Sequence, residues 1–408
     1  MTAAESVQAG WMNEPETRAV VSALEGAGHA VRFVGGCVRD TLLDRPVADI
    51  DMATDAVPES IVDALRAAGV RAIPTGVEHG TITAVTGHRS FEVTTLRLDV
   101  ETDGRRATVK FTDDWEADAA RRDLTMNAMS LGTDGTLHDP FGGRADLMAG
   151  RVRFVGNAHD RIVEDVLRLL RFFRFYAHYG TSPPDAVALE ACRALAPRLT
   201  NLSGERVRVE LLKMLQAPKP LPTVHLMQEA GIFDHFLPEA ENISRLERLT
   251  VVERRTGVAV EPIRRLSALL SSDTESLSNV ADRLRFSNAD RGYLATSALE
   301  SFSLPLDETA RRRLIYRLGS ATFREIVLLG WAGDADDNVW GDLFAMAESW
   351  THKDFPVAGH DVLERGIVRG PAVGDILRTV ELWWVDGGFA AGRDACLARL
   401  DQEIDKQA

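Results

Sequence analysis

The strongest constraint on this chain is a change of periodicity near residue 150. Before it, short β-prone runs alternate with glycine turns; after it, apolar residues recur at helical spacing. Val31–Val34 predicts a strand, Gly35-Gly36 a turn, and the amphipathic stretch to Leu43 a helix. Ala48–Met52 alternates and predicts a second strand. Thr81–Thr86 and Phe91–Leu96 flank the turn-like Gly87-His88-Arg89-Ser90 and predict a hairpin. Asp99–Asp114 is polar and reads as a loop or mobile hairpin, and Met126–Leu131 as a return to the sheet. From Asp160 to Tyr179, apolar positions including Ile162, Val166, Leu169, Leu170, Phe173 and Phe175 predict a helix, ended by Gly180 and Pro183-Pro184. Asp185–Ala194, Gly204–Leu215 and Leu221–Ala230 predict further helices. The fold class is therefore α+β: a mixed head over residues 1–150, then a helical remainder, divided as a neck (151–215) and a body with tail (216–408).

At 408 residues the chain is too long for one ordinary core. Its 45% apolar and 26% charged content suits a soluble globular protein. The sequence has no charged-then-apolar N-terminal stretch and no apolar run near about 18 residues, so secretion and membrane spanning are not expected. Cys37, Cys192 and Cys396 are widely spaced and odd in number; they argue against a disulfide framework or a zinc site and fit a reducing cytoplasm. The net charge of -14 argues against a protein that coats nucleic acid. Local charge differs: Arg151, Arg153, Arg161, Arg168, Arg171 and Arg174 share their span with only Asp160, Glu164 and Asp165. That run is either a basic groove or a solvated helix face.

Asp49 and Asp51 carry the first chemical signal. On a strand, residues two apart share a face, so both carboxylates would point the same way and repel unless a cation sits between them. Mg²⁺ takes a few carboxylates plus substrate phosphates, and Glu92 is a candidate third carboxylate. A bare pair of this kind is most often two solvated acids on an edge strand. Upstream, however, Gly35-Gly36 lies between a strand and a helix, where backbone N–H groups can approach a phosphate. A phosphate cradle followed by metal ligands is what nucleotidyl transfer requires: one metal to activate a 3′-hydroxyl, another to hold the triphosphate.

The run Gly35-Gly36-Cys37-Val38-Arg39-Asp40-Thr41-Leu42-Leu43 with Asp49-Ile50-Asp51 resembles the head of bacterial-type (class II) CCA-adding enzymes and their poly(A) polymerase relatives. Arg121-Arg122-Asp123-Leu124-Thr125-Met126-Asn127-Ala128 is similar to that family's RRDxxxNA block. Asp139-Pro140-Phe141-Gly142-Gly143 resembles the segment closing the head, and Arg161-Ile162-Val163-Glu164-Asp165-Val166-Leu167-Arg168 through Arg171 and Arg174-Phe175 the E-D-x-x-R helix. The four blocks occur in family order over residues 33–180; a weaker likeness covers Gly359–Leu363 and Gly370–Gly374.

The resemblance implies a polymerase-beta-like nucleotidyltransferase head followed by an all-helical neck, body and tail that bind tRNA. It implies Mg²⁺ at Asp49 and Asp51, CTP and ATP as substrates, and tRNA as partner, without a membrane or an obligate protein partner. Arg121 and Arg122 suit a triphosphate, because a guanidinium grips phosphate oxygens in pairs. Asp123 is implied at the ribose and Asn127 at the nucleotide; Arg39 is either a phosphate contact or structural. Glu164 and Arg168 stand at i,i+4 and can pair on one helix face. Asp165 and Arg168 are implied to read the base. Cytosine and adenine each set an amine beside an unprotonated ring nitrogen, whereas uracil and guanine set a carbonyl beside an N–H. Asp103-Gly104-Arg105-Arg106 and Lys110 lie in a segment that the family implies is mobile and assists the switch from C to A addition.

The nearest alternative is a poly(A) polymerase or a partial CC- or A-adding relative of the same family. Pro74–Thr81 is more similar to the CCA-adding side. A fused metal phosphohydrolase is a further alternative, resting on His138-Asp139, His159-Asp160 and His360-Asp361, as is a catalytically dead RNA-binding protein. Arg206 and Arg208 are candidate tRNA contacts on a helix face.

Overall fold

A computed structural model of the chain describes residues 6–102, 107–271, 273–298, 307–334 and 337–406. It divides into two compact units, residues 1–238 and 239–408. Among the described residues no helix is long and apolar enough to cross a membrane.

The first unit is built on a seven-stranded sheet in the order β3-β4-β5-β2-β1-β8-β9. Its strands are β1 (Val31–Val34), β2 (Asp51–Thr54), β3 (Arg71–Gly76), β4 (Thr81–Thr86), β5 (Arg89–Thr95), β8 (Ser130–Gly132) and β9 (Leu137–His138). All pairings are antiparallel except β2 with β5. The expected hairpin forms as β4–β5 around Gly87-His88. Two strands outside this sheet, β6 (Arg97–Thr102) and β7 (Ala107–Phe111), pair as a hairpin. The Asp103–Arg106 run lies outside the described residues.

Helices α1 (Pro15–Gly26) and α3 (Pro58–Ala67) pack on the sheet through Val20, Leu24, Ile61 and Leu65, all fully buried. Helix α3 also meets β5, where Phe91 and Val93 are buried and the alternation sends Glu92 to the opposite face. That opposite face carries the acidic residues.

The chain enters β2 later than expected. The predicted strand Ala48–Met52 begins instead at Asp51, and Asp49 precedes it. The reason is the length of β1: its last residue, Val34, pairs with Asp51, and the chain then leaves the sheet at Gly35. Asp49 and Ile50 therefore have no β1 residue to pair with.

After residue 150 the first unit is helical: α6 (Ala158–Glu164), α7 (Leu167–Tyr179), α8 (Ala186–Leu195), α9 (Gly204–Leu215) and α10 (Leu221–Glu229). The helix expected from Asp160 to Tyr179 is broken. Asp165 is extended (φ -149°, ψ 107°) and separates α6 from α7. Helix α7 buries Leu169, Leu170, Phe172 and Phe173 and packs against α9 and α10.

The second unit is formed by helices α11 (Ile243–Thr256) through α19 (Arg393–Asp405). Its interior holds an ionic cluster in which Glu253 pairs with Arg264 (3.0 Å) and Arg265 (2.8 Å), and Glu325 with Arg264 (2.7 Å). Buried charges need such mutual pairing to remain ionised.

Candidate active site

The site begins where β1 stops. Gly35 turns at φ 73°, ψ -126°, a conformation that side-chain-bearing residues rarely adopt, and α2 (Gly36–Leu42) starts at once. The turn brings the backbone against the acidic face: a Cβ on Gly35 would lie 3.6 Å from Asp51 Oδ2 and 3.9 Å from Arg122 Nη1. Beneath it, Cys37 donates its thiol to Val34 O (3.2 Å), and burial pushes that thiol up to about 11.

Asp51 and Glu92 are register partners on β2 and β5. Asp49 is exposed just before β2, close enough to act on Asp51 electrostatically. Burial first, then Glu92, then Asp49 raise the Asp51 carboxyl to about 6, opposed by Arg122. Asp51 and Glu92 are thus neighbours across the sheet, and Asp49 is near enough to act on Asp51, though the three are not grouped as a metal cage.

The arginine block is organised by a residue that the sequence reading missed. Helix α4 (Trp115–Ala120) is N-capped by Asp114, which accepts from the N–H groups of Glu116 (2.9 Å) and Ala117 (3.1 Å). Within it, buried Asp118 accepts from Arg121 (2.7 Å) and Arg122 (3.3 Å). One carboxylate therefore aims both guanidinium groups. Its i,i+3 and i,i+4 spacing to the arginines was the available signal.

Asp123 is buried and heavily engaged. Its Oδ1 accepts from Leu124 N (2.8 Å) and Asn127 Nδ2 (3.0 Å), and its Oδ2 from Arg171 Nε (2.6 Å). Burial alone would raise its pKa; Arg171 and these hydrogen bonds outweigh burial and hold it below the ordinary carboxylate value. Arg39 joins the chain by donating to Asn127 Oδ1 (2.8 Å). Arg39, Asn127, Asp123 and Arg171 thus link α2, the turn after α4, and α7. Arg174 pairs with buried Glu210 (3.1 Å).

At the break between α6 and α7, Glu164 and Arg168 remain paired although no continuous helix carries them. Arg168 also donates to Arg161 O (3.0 Å) and Arg121 O (3.2 Å). Arg161 reaches back to Arg122 O (2.7 Å), so it satisfies a carbonyl just beyond α4. Asp165 accepts from Leu167 N (3.1 Å) and from Arg206 Nη2 at both oxygens (3.0 and 2.7 Å). Arg206, expected on an RNA-facing helix surface, is therefore turned toward Asp165.

These groups open onto one cavity of about 790 Å³. Of the predicted residues, Gly35, Gly36, Arg39, Asp51, Arg121, Arg122, Asp123, Asn127, Asp165, Arg168, Arg171 and Arg174 line it. Asp49, Glu92 and Glu164 do not. Phe175, His178, Tyr179, Lys213 and Gln216 also line it and were not foreseen. Tyr179 is flanked by the guanidinium groups of Arg39 (4.6 Å) and Arg45 (4.8 Å) and donates its hydroxyl to Asp40 (3.1 Å). The sequence marks it only as the end of a helix, which conceals it.

None of the three His-Asp dipeptides lines this cavity. Asp139 accepts from the N–H groups of Gly143 (2.7 Å) and Arg144 (3.0 Å), His159-Asp160 is exposed, and buried Asp361 pairs with Arg393. Among the described residues no three His, Cys, Asp or Glu side chains are grouped as a metal cage.

Residues 31–153 match the Poly A polymerase head domain, and residues 185–243 match the probable RNA and SrmB-binding site of polymerase A. The chain is 37% identical over 384 residues to the mitochondrial CCA tRNA nucleotidyltransferase 1 of Mus musculus, covering 91% of this chain and 86% of that protein. It is 30% identical to the CCA-adding enzyme of Levilactobacillus brevis, covering 94% and 96% of the two. The structure of the Bacillus stearothermophilus CCA-adding enzyme in complex with CTP superposes with a TM-score of 0.73 at 26% identity, over 97% of this chain and 99% of that one. With the head domain matched and relatives of 30% and 37% identity spanning most of the chain, the chain is a nucleotidyltransferase and belongs to the class II family of CCA-adding enzymes and poly(A) polymerases.

Proposed function

We propose that this chain adds C, C and A in turn to the 3′ end of tRNA, using CTP and ATP without a nucleic-acid template. The observation that carries the reading is that Asp51 and the pair Asp165–Arg168 open onto the same cavity. A carboxylate end suited to phosphoryl chemistry thus shares a space with a polar edge suited to a base.

The donor set at the carboxylate end fits a hard divalent cation. Asp49 and Asp51 would hold Mg²⁺, with Glu92 beside them, and Arg122 is the opposing charge at Asp51. When bound, Mg²⁺ supplies charge for the triphosphate and activates the attacking 3′-hydroxyl. Arg121 and Arg122, held by Asp118, grip the phosphates. The tight turn at Gly35 lets the triphosphate approach the backbone. Asp123 acts mainly by holding Asn127 and Arg171 in place. As the 3′-oxygen bonds to the α-phosphorus, the bond to pyrophosphate breaks and pyrophosphate leaves.

Asp165 accepts from the exocyclic amine of cytosine or adenine, and Arg168 donates to the adjacent ring nitrogen. Uracil and guanine would set a carbonyl against the carboxylate and an N–H against the guanidinium. Phe175 and Tyr179, on the cavity wall, stack on each other (ring centroids 5.7 Å apart) and carry the guanidinium groups of Arg39, Arg45 and Arg174. Cys37, Cys192 and Cys396 are buried free thiols, which supports a reducing compartment such as the cytoplasm.

The test is the product formed on a tRNA lacking its 3′ end, incubated with CTP and ATP and sequenced. The expected product carries C, C and A and no more. Long A tails without C would replace this reading with poly(A) polymerisation.

A further inference from the structure

We infer that Arg206 is a positioning residue for base selection: it holds the Asp165 carboxylate in the orientation that accepts from an exocyclic amine. The inference rests on the base-reading role proposed for Asp165 and Arg168.

Asp165 occupies the break between two helices, and its own backbone supports only part of its side chain. Its Oδ1 accepts from Leu167 N (3.1 Å), while its C=O accepts from Arg168 N (3.0 Å) at the start of α7. That local anchor fixes one oxygen and leaves the carboxylate plane to turn about it. Arg206, in the first turn of α9 and 41 positions away, supplies the second anchor. Its Nη2 reaches Oδ1 at 3.0 Å and Oδ2 at 2.7 Å, which sets the plane.

Arg168 has separate supports: Glu164, the carbonyl of Arg161, and the carbonyl of Arg121. The acceptor and the donor of the base-reading edge are thus held by different parts of the fold. Removing Arg206 releases the acceptor and leaves these supports of Arg168 in place. The Arg206 and Asp165 side chains are 31% and 27% exposed, and both residues line the cavity. A partly exposed pair of this kind adds little to stability, so stability alone is a weak account of the contact.

The consequence for selection has a definite sign. A carboxylate held toward the base gives CTP and ATP a hydrogen bond and meets UTP and GTP with a carbonyl. Freed, it gives the right nucleotides less and opposes the wrong ones less. The discrimination ratio then falls from both ends, whereas a general structural defect slows all nucleotides together.

The test measures kcat/KM for CTP and UTP on a tRNA lacking its 3′ end, using the full chain. The variants are Arg206→Gln, Arg206→Lys, Asp165→Ala, and Arg206→Gln combined with Asp165→Ala. Arg206→Gln is expected to lower the CTP/UTP ratio about tenfold or more, the scale of one charge-assisted hydrogen bond. Arg206→Lys restores part of it, since the charge remains without the planar guanidinium. In the Asp165→Ala background, Arg206→Gln changes the ratio no further. An unchanged ratio with both rates lowered equally overturns the inference. So do effects of Arg206→Gln and Asp165→Ala that multiply independently, which would mean direct contact of Arg206 with nucleotide or RNA. A wild-type protein that incorporates neither CMP nor AMP would instead bring down the base-reading assignment itself.

Discussion

Asp51 and Glu92 face each other as register partners on the parallel strands β2 and β5, so their carboxylates share one face of the sheet. The crowding has a measurable cost in the metal-free protein. The folded state raises the Asp51 carboxyl from 3.8 to about 6, through burial, Glu92 and Asp49 in that order. Between about pH 4 and pH 6 the folded state therefore binds more protons than the unfolded state, and stability falls as pH rises through that window. Asp51→Asn should raise the melting temperature in EDTA at pH 7.5 by a few degrees, corresponding to about 1–3 kcal/mol, and by much less at pH 4. It should also abolish nucleotide transfer. Equal melting shifts at the two pH values would contradict the crowding.

Proton and Mg²⁺ would compete for the same carboxylate. Calorimetric titration of the nucleotide-free enzyme should show Mg²⁺ affinity weakening on acidification below about pH 6, by up to about tenfold per unit, with proton release on binding. An affinity independent of pH between 5 and 7.5 would place the metal elsewhere.

Asp123 and Asp49 should separate structure from chemistry. Asp123→Ala leaves Arg171 and Asn127 without their shared acceptor in a buried place, and urea unfolding should show a loss of about 3 kcal/mol. Asp49 is exposed, so Asp49→Ala should leave stability within about 0.5 kcal/mol while cutting nucleotide incorporation at least about a hundredfold.

The two glycines of the turn should differ. Gly35 lies at φ 73° against Asp51, so Gly35→Ala adds backbone strain of about 1–3 kcal/mol at the phosphate approach and should lose activity. Gly36 is the first residue of α2 and has no positive φ, so Gly36→Ala should fold normally by thermal melting.

Local signals in the sequence led directly to β1, the Gly35 turn and α9, because strand alternation, a glycine turn and helical spacing need only neighbouring residues. The break at Asp165 was hidden for the opposite reason. Ile162, Val166 and Leu169 keep helical spacing straight through it, while part of what holds it, Arg206, lies on another helix. Strand β3 escaped because it is a largely exposed edge strand, irregular near Pro74, with little apolar alternation. The cavity-lining residues were legible where the family blocks run. Phe175, though inside such a block, reads only as an apolar helix position, and Tyr179 only as a helix end, until the facing helix is known.

Under the proposed function, one cavity joins nucleotide transfer to base choice through Asp165 and Arg168. The most direct test is the kcat/KM of all four nucleoside triphosphates on a tRNA ending before its final A, in wild type and in Asp165→Ala. Wild type is expected to select ATP over GTP and UTP, and Asp165→Ala to lose most of that selectivity while still transferring nucleotides. A variant that keeps full selectivity would show that the base is read elsewhere.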